Sequence, residues 1–152
     1  QHIPDMTQDH IQIIEPSFSR LTIHNTHLEH LWTGGRWGEG PVYFGDGRYL
    51  LFSDIPNDRI LRHDECSGAT SVWRSPSRNS NGQTRDRAGR LVTCEHLSRQ
   101  VTRTEYDGQV TTLASHLDGK PHPVFQRIGA IWAGQIICQW RPKLIQKMAV
   151  DL

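Results

Sequence analysis

Two stretches of this chain carry the same wording. Gly47-Arg48-Tyr49-Leu50-Leu51-Phe52-Ser53-Asp54 returns further on as Gly89-Arg90-Leu91-Val92-Thr93-Cys94-Glu95-His96. Glu39-Gly40 returns as Asn81-Gly82 at the same offset, Arg62 as Arg103 at an offset one position shorter, and Gly68 as Gly108 at one shorter again. An offset that shrinks in single steps is expected when loops lose residues while strands hold register. The first unit contains β-type runs at 42–44, 49–52, 59–62 and 70–73, parted by Gly45-Asp46-Gly47, Pro56-Asn57-Asp58 and Ser67-Gly68 turn signals. The second contains runs at 83–85, 90–93, 100–104 and 109–113. Four short strands in a repeat of ~40–45 residues is the pattern of a propeller blade. The expected fold class is therefore all-β, a partial β-propeller built of four-stranded antiparallel sheets.

Length limits how much of a propeller this sequence can hold. A closed ring takes ~4–8 blades, and 152 residues leave room for two to three. The expectation is a fragment, a truncated product or one part of an assembly. Exposed apolar blade edges would then favour self-association. Three segments follow. Residues 1–35 read as a lead-in with apolar runs at 11–14 and 21–23 suited to closing strands, and 36–120 as two blades. Residues 121–152 form an atypical tail, whose sudden loss of pattern after Pro121-His122-Pro123 suits a frameshift or truncation. A short helix is expected near 143–150.

Composition excludes several classes of function. Lys and Arg number 17 against 16 for Asp and Glu, so no charge excess advertises nucleic acid or an anionic membrane. The five tryptophans do not alternate with basic residues as a base-stacking surface would. The least polar stretch, 124–140, is broken by Gln126, Arg127 and Gln135 and is shorter than the ~20 apolar residues of a spanning helix. Cys66, Cys94 and Cys138 are widely spaced, which fits neither a disulfide framework nor a sulfur-ligated zinc site. With no basic and apolar leader in the first eight residues, a cytoplasmic location is expected.

The repeat also nominates functional residues. Innermost strands of a propeller line its central channel, so equivalent positions of neighbouring blades converge there. Glu39 and Asn81 occupy one such slot, and carboxylate and amide oxygens suit a hard divalent cation such as calcium or magnesium. The alternative is that both merely begin strands, with glycine following for turn geometry. Glu95 and His96 close a second-blade strand, His96 in the slot that Asp54 fills in the first copy. Either pocket-facing or structural roles suit them, whereas Asp54 reads better as a turn-capping residue ahead of residues 55–58.

Gly38-Glu39-Gly40-Pro41-Val42-Tyr43, Leu51-Phe52-Ser53-Asp54-Ile55-Pro56, the run from Asn81 to Leu91, and Cys94-Glu95-His96 resemble the gluconolactonase family, which includes regucalcin, the senescence marker protein. The resemblance covers about residues 20 to 120. It implies a six-bladed propeller with one divalent metal in its channel, calcium first, with zinc or magnesium as alternatives, and hydrolysis of a sugar lactone by metal-activated water. It assigns Glu39 to the metal and Asn81 to the sugar, with Glu95 and His96 as further substrate-pocket candidates. The pattern departs from the family after Gly119-Lys120, where an asparagine-aspartate motif is replaced by Pro121-His122-Pro123-Val124. Only Glu39 of three expected protein ligands is present. One carboxylate cannot satisfy an ion that takes ~6–8 oxygens, so the second expectation is a catalytically inactive partial propeller acting at most as an association module.

Overall fold

The computed structural model describes residues 14–21, 29–117, 120–121, 129–132 and 135–138. The chain divides into two compact units, Gln1–Thr33 and Gly34–Leu152. The first contains a 3-10 helix, Pro16–Leu21, whose first residue has a φ preset for helix and no N–H to leave unpaired. Leu21 thus ends a helical segment where a strand is expected. Residues 11–13 and 22–23 of the two expected closing strands, and the expected helix at 143–150, lie outside the described residues.

The second unit contains two four-stranded antiparallel sheets, as the repeat implies. One sheet has the order β1 (Gly38–Phe44), β2 (Tyr49–Asp54), β3 (Arg59–Asp64), β4 (Thr70–Arg74). The other has the order β5 (Ser80–Arg85), β6 (Leu91–Glu95), β7 (Gln100–Thr104), β8 (Val110–Ala114). Consecutive strands joined by short turns give each sheet its meander. β5 and β6 are the most buried strands, and β4 and β8 contain no fully buried residue. Two small hairpins follow: β9 (His116–Leu117) with β10 (Lys120–Pro121), and β11 (Gly129–Trp132) with β12 (Gln135–Cys138). β11 lies against β5, so regular strand structure continues past residue 121. Among the described residues no helix is long and apolar enough to cross a membrane.

The register corrects the sequence alignment of the two blades by a single position. Val42 pairs with Leu51, but Thr84, the counterpart of Val42, pairs with Val92 and not with Thr93, the sequence counterpart of Leu51. Gly38 pairs with Asp54, and its counterpart Ser80 with Glu95. Glu95, and not His96, therefore fills the slot of Asp54. The missing residue belongs to the first hairpin turn. Matching Gly47 to Gly89 conceals this, because the left-handed conformation of Gly89 (φ 82°) is taken in the first blade not by Gly47 but by its neighbour Arg48 (φ 49°).

Burial follows the period-two alternation of strands. Phe44, Leu51 and Ile60 of the first blade form one cluster with Leu91 of β6, so that core spans the seam between the blades. Val92, Cys94 and Val101 form a second cluster on the opposite face of β6, backed by Leu113 and Ala114. Along the seam face of β6 the chemistry changes in three steps, from apolar Leu91 through Thr93 to the carboxylate of Glu95. At the hairpin end the Phe44 and Tyr49 rings stack 4.8 Å apart. Arg85 covers Phe44 at 4.7 Å and Arg62 covers Tyr49 at 4.2 Å. Arg85 also pairs with Asp46 at 3.0 Å, joining the second blade to the first.

Candidate active site on the innermost strands

The same backbone irregularity recurs where the candidate residues sit. β1 and β2 lose register between Glu39 and Val42, and β5 and β6 lose it between Ser80 and Gln83. Such a bulge sets two residues of one strand against one of its partner and re-aims side chains. It places Glu39-Gly40 and Asn81-Gly82 at equivalent points of adjacent innermost strands. Gly40 is in the left-handed region (φ 56°), and a Cβ there would lie 2.1 Å from the Asn81 carbonyl oxygen. A side chain at position 40 would force the two strands apart.

Glu39 is half-buried, and its Oε1 accepts a hydrogen bond from the Trp37 indole Nε1 at 3.2 Å. Asn81 is buried, and its carbonyl accepts the Ser53 hydroxyl at 3.1 Å. Ser53 Oγ also lies 3.0 Å from Ser80 Oγ and accepts Gln83 Nε2 at 2.6 Å. Gln83 faces Thr93 directly across the β5–β6 ladder. The buried Gln83 Oε1 and Thr93 Oγ1 have no hydrogen-bond partner among the described residues.

The two carboxylates in the equivalent strand-end slots have different partners. Asp54 is 1% exposed and collects the backbone N–H groups of Arg36 and Trp37, Asn57 Nδ2 at 2.8 Å and Arg59 Nε at 2.9 Å. Burial alone would raise its pKa, but these donors, Asn57 foremost, outweigh that and bring it down to about 2. Asp54 therefore anchors the chain that enters β1 and the turn leaving β2. It binds the Asn57 side chain and makes no side-chain cap to a helical backbone N–H.

Glu95 is 2% exposed and accepts Ser98 Oγ at 2.6 Å and Thr102 Oγ1 at 3.0 Å. Arg74 Nη2 lies 3.7 Å and Arg78 Nη1 3.5 Å from its carboxylate. Arg74 belongs to β4 and also donates to Thr104 Oγ1 at 3.2 Å. Burial lowers the Arg74 pKa, against the opposing pull of Glu95. His96 is exposed in the turn after β6, where its backbone N–H donates to the Asn79 carbonyl at 3.2 Å. The linker into β5 is held by Asp58, whose Oδ1 accepts the backbone N–H groups of Ser77 and Asn79 and the Ser77 hydroxyl.

For a divalent cation this donor set is incomplete. Glu39 offers carboxylate oxygens and Asn81 an amide oxygen, while Asp54 is committed to backbone and amide N–H groups and Arg59, and Glu95 to hydroxyls and arginines. Among the described residues no group of three His, Cys, Asp or Glu side chains is gathered for a metal. Missed by sequence reasoning were Ser53, Ser80 and Gln83. Their only sequence signal is polar residues at inward positions of strands, a signal that marks buried networks without naming their partners.

Comparison with known proteins identifies the family. No curated protein sequence matches the chain. Among solved structures, a gluconolactonase from Xanthomonas campestris is 35% identical, with a TM-score of 0.57, over 60% of this chain and 30% of that one. A second, described as belonging to the gluconolactonase protein family, is 29% identical with a TM-score of 0.64, over 71% of this chain and 37% of that one. The chain thus spans about a third of the length of either relative. The family model described as the SMP-30/gluconolactonase/LRE-like region matches residues 37–143, beyond the point at which the sequence pattern fades. With that match over well more than half its length, on two propeller blades with a repeated innermost bulge, the chain belongs to the SMP-30/gluconolactonase/LRE-like family.

Proposed function

We propose that this chain supplies two adjacent blades of a sugar-lactone hydrolase, with Glu39 as a ligand of a divalent cation and Asn81 as a hydrogen-bonding contact to the sugar. Calcium is the first choice of ion, with zinc or magnesium as alternatives. The carrying observation is the repeated bulge, which sets Glu39 and Asn81 at equivalent points of adjacent strands, with Gly40 against the Asn81 carbonyl. A cation of this kind would supply charge stabilisation at a lactone carbonyl. This chain's own residues orient: the Trp37 indole holds one Glu39 oxygen, and the seam holds the Asn81 backbone. Glu95 and His96 are lesser pocket candidates, since Glu95 is occupied by seam contacts and His96 is a turn residue.

By itself the chain is expected to show no metal-dependent lactone hydrolysis, because the described residues provide one of the three protein ligands that the family resemblance implies. A blade transplant tests the reading. Residues 37–114 replace the matching blades of the Xanthomonas campestris gluconolactonase, and gluconolactone hydrolysis is followed with and without calcium, zinc and a chelator. The expected result is metal-dependent turnover in the chimera that Glu39→Gln abolishes and Asn81→Ala reduces. A folded chimera that is inactive, or indifferent to Glu39→Gln, would sink the proposal. Metal-stimulated turnover by the isolated chain, running as a monomer on a sizing column, would overturn its inactivity.

A further inference from the structure

Ser53 stands between the two candidate residues. Its backbone pairs with Glu39 across the β1–β2 ladder. Its side chain crosses to the other blade, where the hydroxyl donates to the Asn81 carbonyl at 3.1 Å, accepts Gln83 Nε2 at 2.6 Å and meets Ser80 Oγ at 3.0 Å. Ser53 and Ser80 are fully buried, so water does not compete for these bonds. Gly40, the bulge residue after Glu39, lies against the same Asn81 carbonyl, whose oxygen a Cβ at this position would approach to 2.1 Å. One oxygen is thereby gripped by the hydroxyl of β2 and the Cβ-less backbone of β1. From this we infer that Ser53 is a positioning residue that couples Glu39 to Asn81, fixing the spacing of the two innermost strands at the site. The inference rests on the proposed reading only for what the two residues do, and the coupling itself is a property of the ligand-free protein.

The rest of the seam explains why a serine is suited to this place. A leucine or valine would continue the cluster of Phe44, Leu51 and Ile60, but would leave the Gln83 amide and the Ser80 hydroxyl without this acceptor in a buried setting. A hydroxyl serves both as donor to the carbonyl and as acceptor from the amide.

The test uses two-dimensional amide NMR of the full chain without ligand. Ser53→Ala is expected to shift the Gly40, Asn81 and Gly82 backbone resonances together with the Trp37 indole Nε1, which reports on Glu39. Thr93→Val, an isosteric change in the same seam at a hydroxyl with no hydrogen bond among the described residues, should leave those four in place. Should Ser53→Ala fail to fold, the pair Ser53→Ala and Gln83→Met orphans no amide and carries the same comparison. Unmoved resonances in a folded Ser53 variant, or equal shifts in Thr93→Val, overturn the inference. A gluconolactone titration of the Asn81 side-chain amide separates the two claims. If the unsubstituted chain responds, Ser53→Ala should weaken the midpoint about tenfold, and an unchanged midpoint also overturns the inference. No response in the unsubstituted chain counts against the sugar contact alone, and the ligand-free spectra still decide the coupling.

Discussion

Asp54 and Glu95 fill the same slot in successive blades, yet they hold different things together. Among the described residues, the partners of Asp54 come from its own blade or the segment entering it: Arg36, Trp37, Asn57 and Arg59. Glu95 takes Ser98 and Thr102 from its own blade and faces Arg74 of β4 in the preceding one. A repeated fold thus keeps a slot's position and burial while its wiring changes from a local anchor to a pin across the seam. The lengthening from aspartate to glutamate provides the reach for that change.

The most severe test of the comparison is Glu95→Leu. Removing one partner of a buried ion pair leaves Arg74 uncompensated, and a loss of about 3–5 kcal/mol is expected in urea unfolding. Hydrogen exchange should rise in both blades. Protection lost only from the β6–β7 turn would show that Glu95 serves its own blade, as Asp54 does.

Gly40 and Gly108 extend the comparison to the backbone. Both have positive φ, but a Cβ at Gly40 meets the Asn81 carbonyl at 2.1 Å, whereas one at Gly108 meets nothing within 4 Å. Gly108→Ala should cost about 1–2 kcal/mol, the penalty of the left-handed conformation. Gly40→Ala should cost more, since strand separation is added to it. Equal losses would mean that the two innermost strands are not in contact at the bulge.

An effect of similar size is expected in acid. The Asp54 pKa is depressed to about 2 from an ordinary 3.8. Its contribution is fully present above about pH 4 and is lost as pH falls through its folded value, by about 2 kcal/mol in all at 1.36 kcal/mol per unit. Asp54→Asn should flatten the stability profile between about pH 4 and pH 2, and a profile unchanged by the substitution would show that another group carries it.

The fold is legible in the sequence because a propeller blade is a local object. Strand alternation and Gly-Asp turn chemistry act over a few residues, so the eight strands appear in the sequence close to where they form. The equivalence of Glu39 and Asn81 in the two blades is legible for the same reason, through a spacing in the repeat, and the matching bulges lie at those positions. Less can be read where tertiary structure intervenes. The correspondence of Asp54 with His96 fails because Arg48 adopts a conformation that sequence assigns to glycine, moving the missing residue into another turn. Leu21 reads as strand in the sequence because its apolar neighbours outweigh the helix-starting Pro16.

The eight strands and their grouping into two four-stranded sheets follow from periodicity and turn residues, which are properties of short segments, and the family follows from the spaced motifs between residues 38 and 96. Which polar side chains meet across the seam is settled by tertiary packing alone. Ser53 reaches Asn81 and Gln83 over 28 and 30 residues of chain, and Arg74 reaches Thr104 over 30. No local propensity encodes such bonds. They form because burial leaves each of these groups a protein partner in place of water, and the twist and spacing of two sheets determine which partner comes within hydrogen-bonding reach.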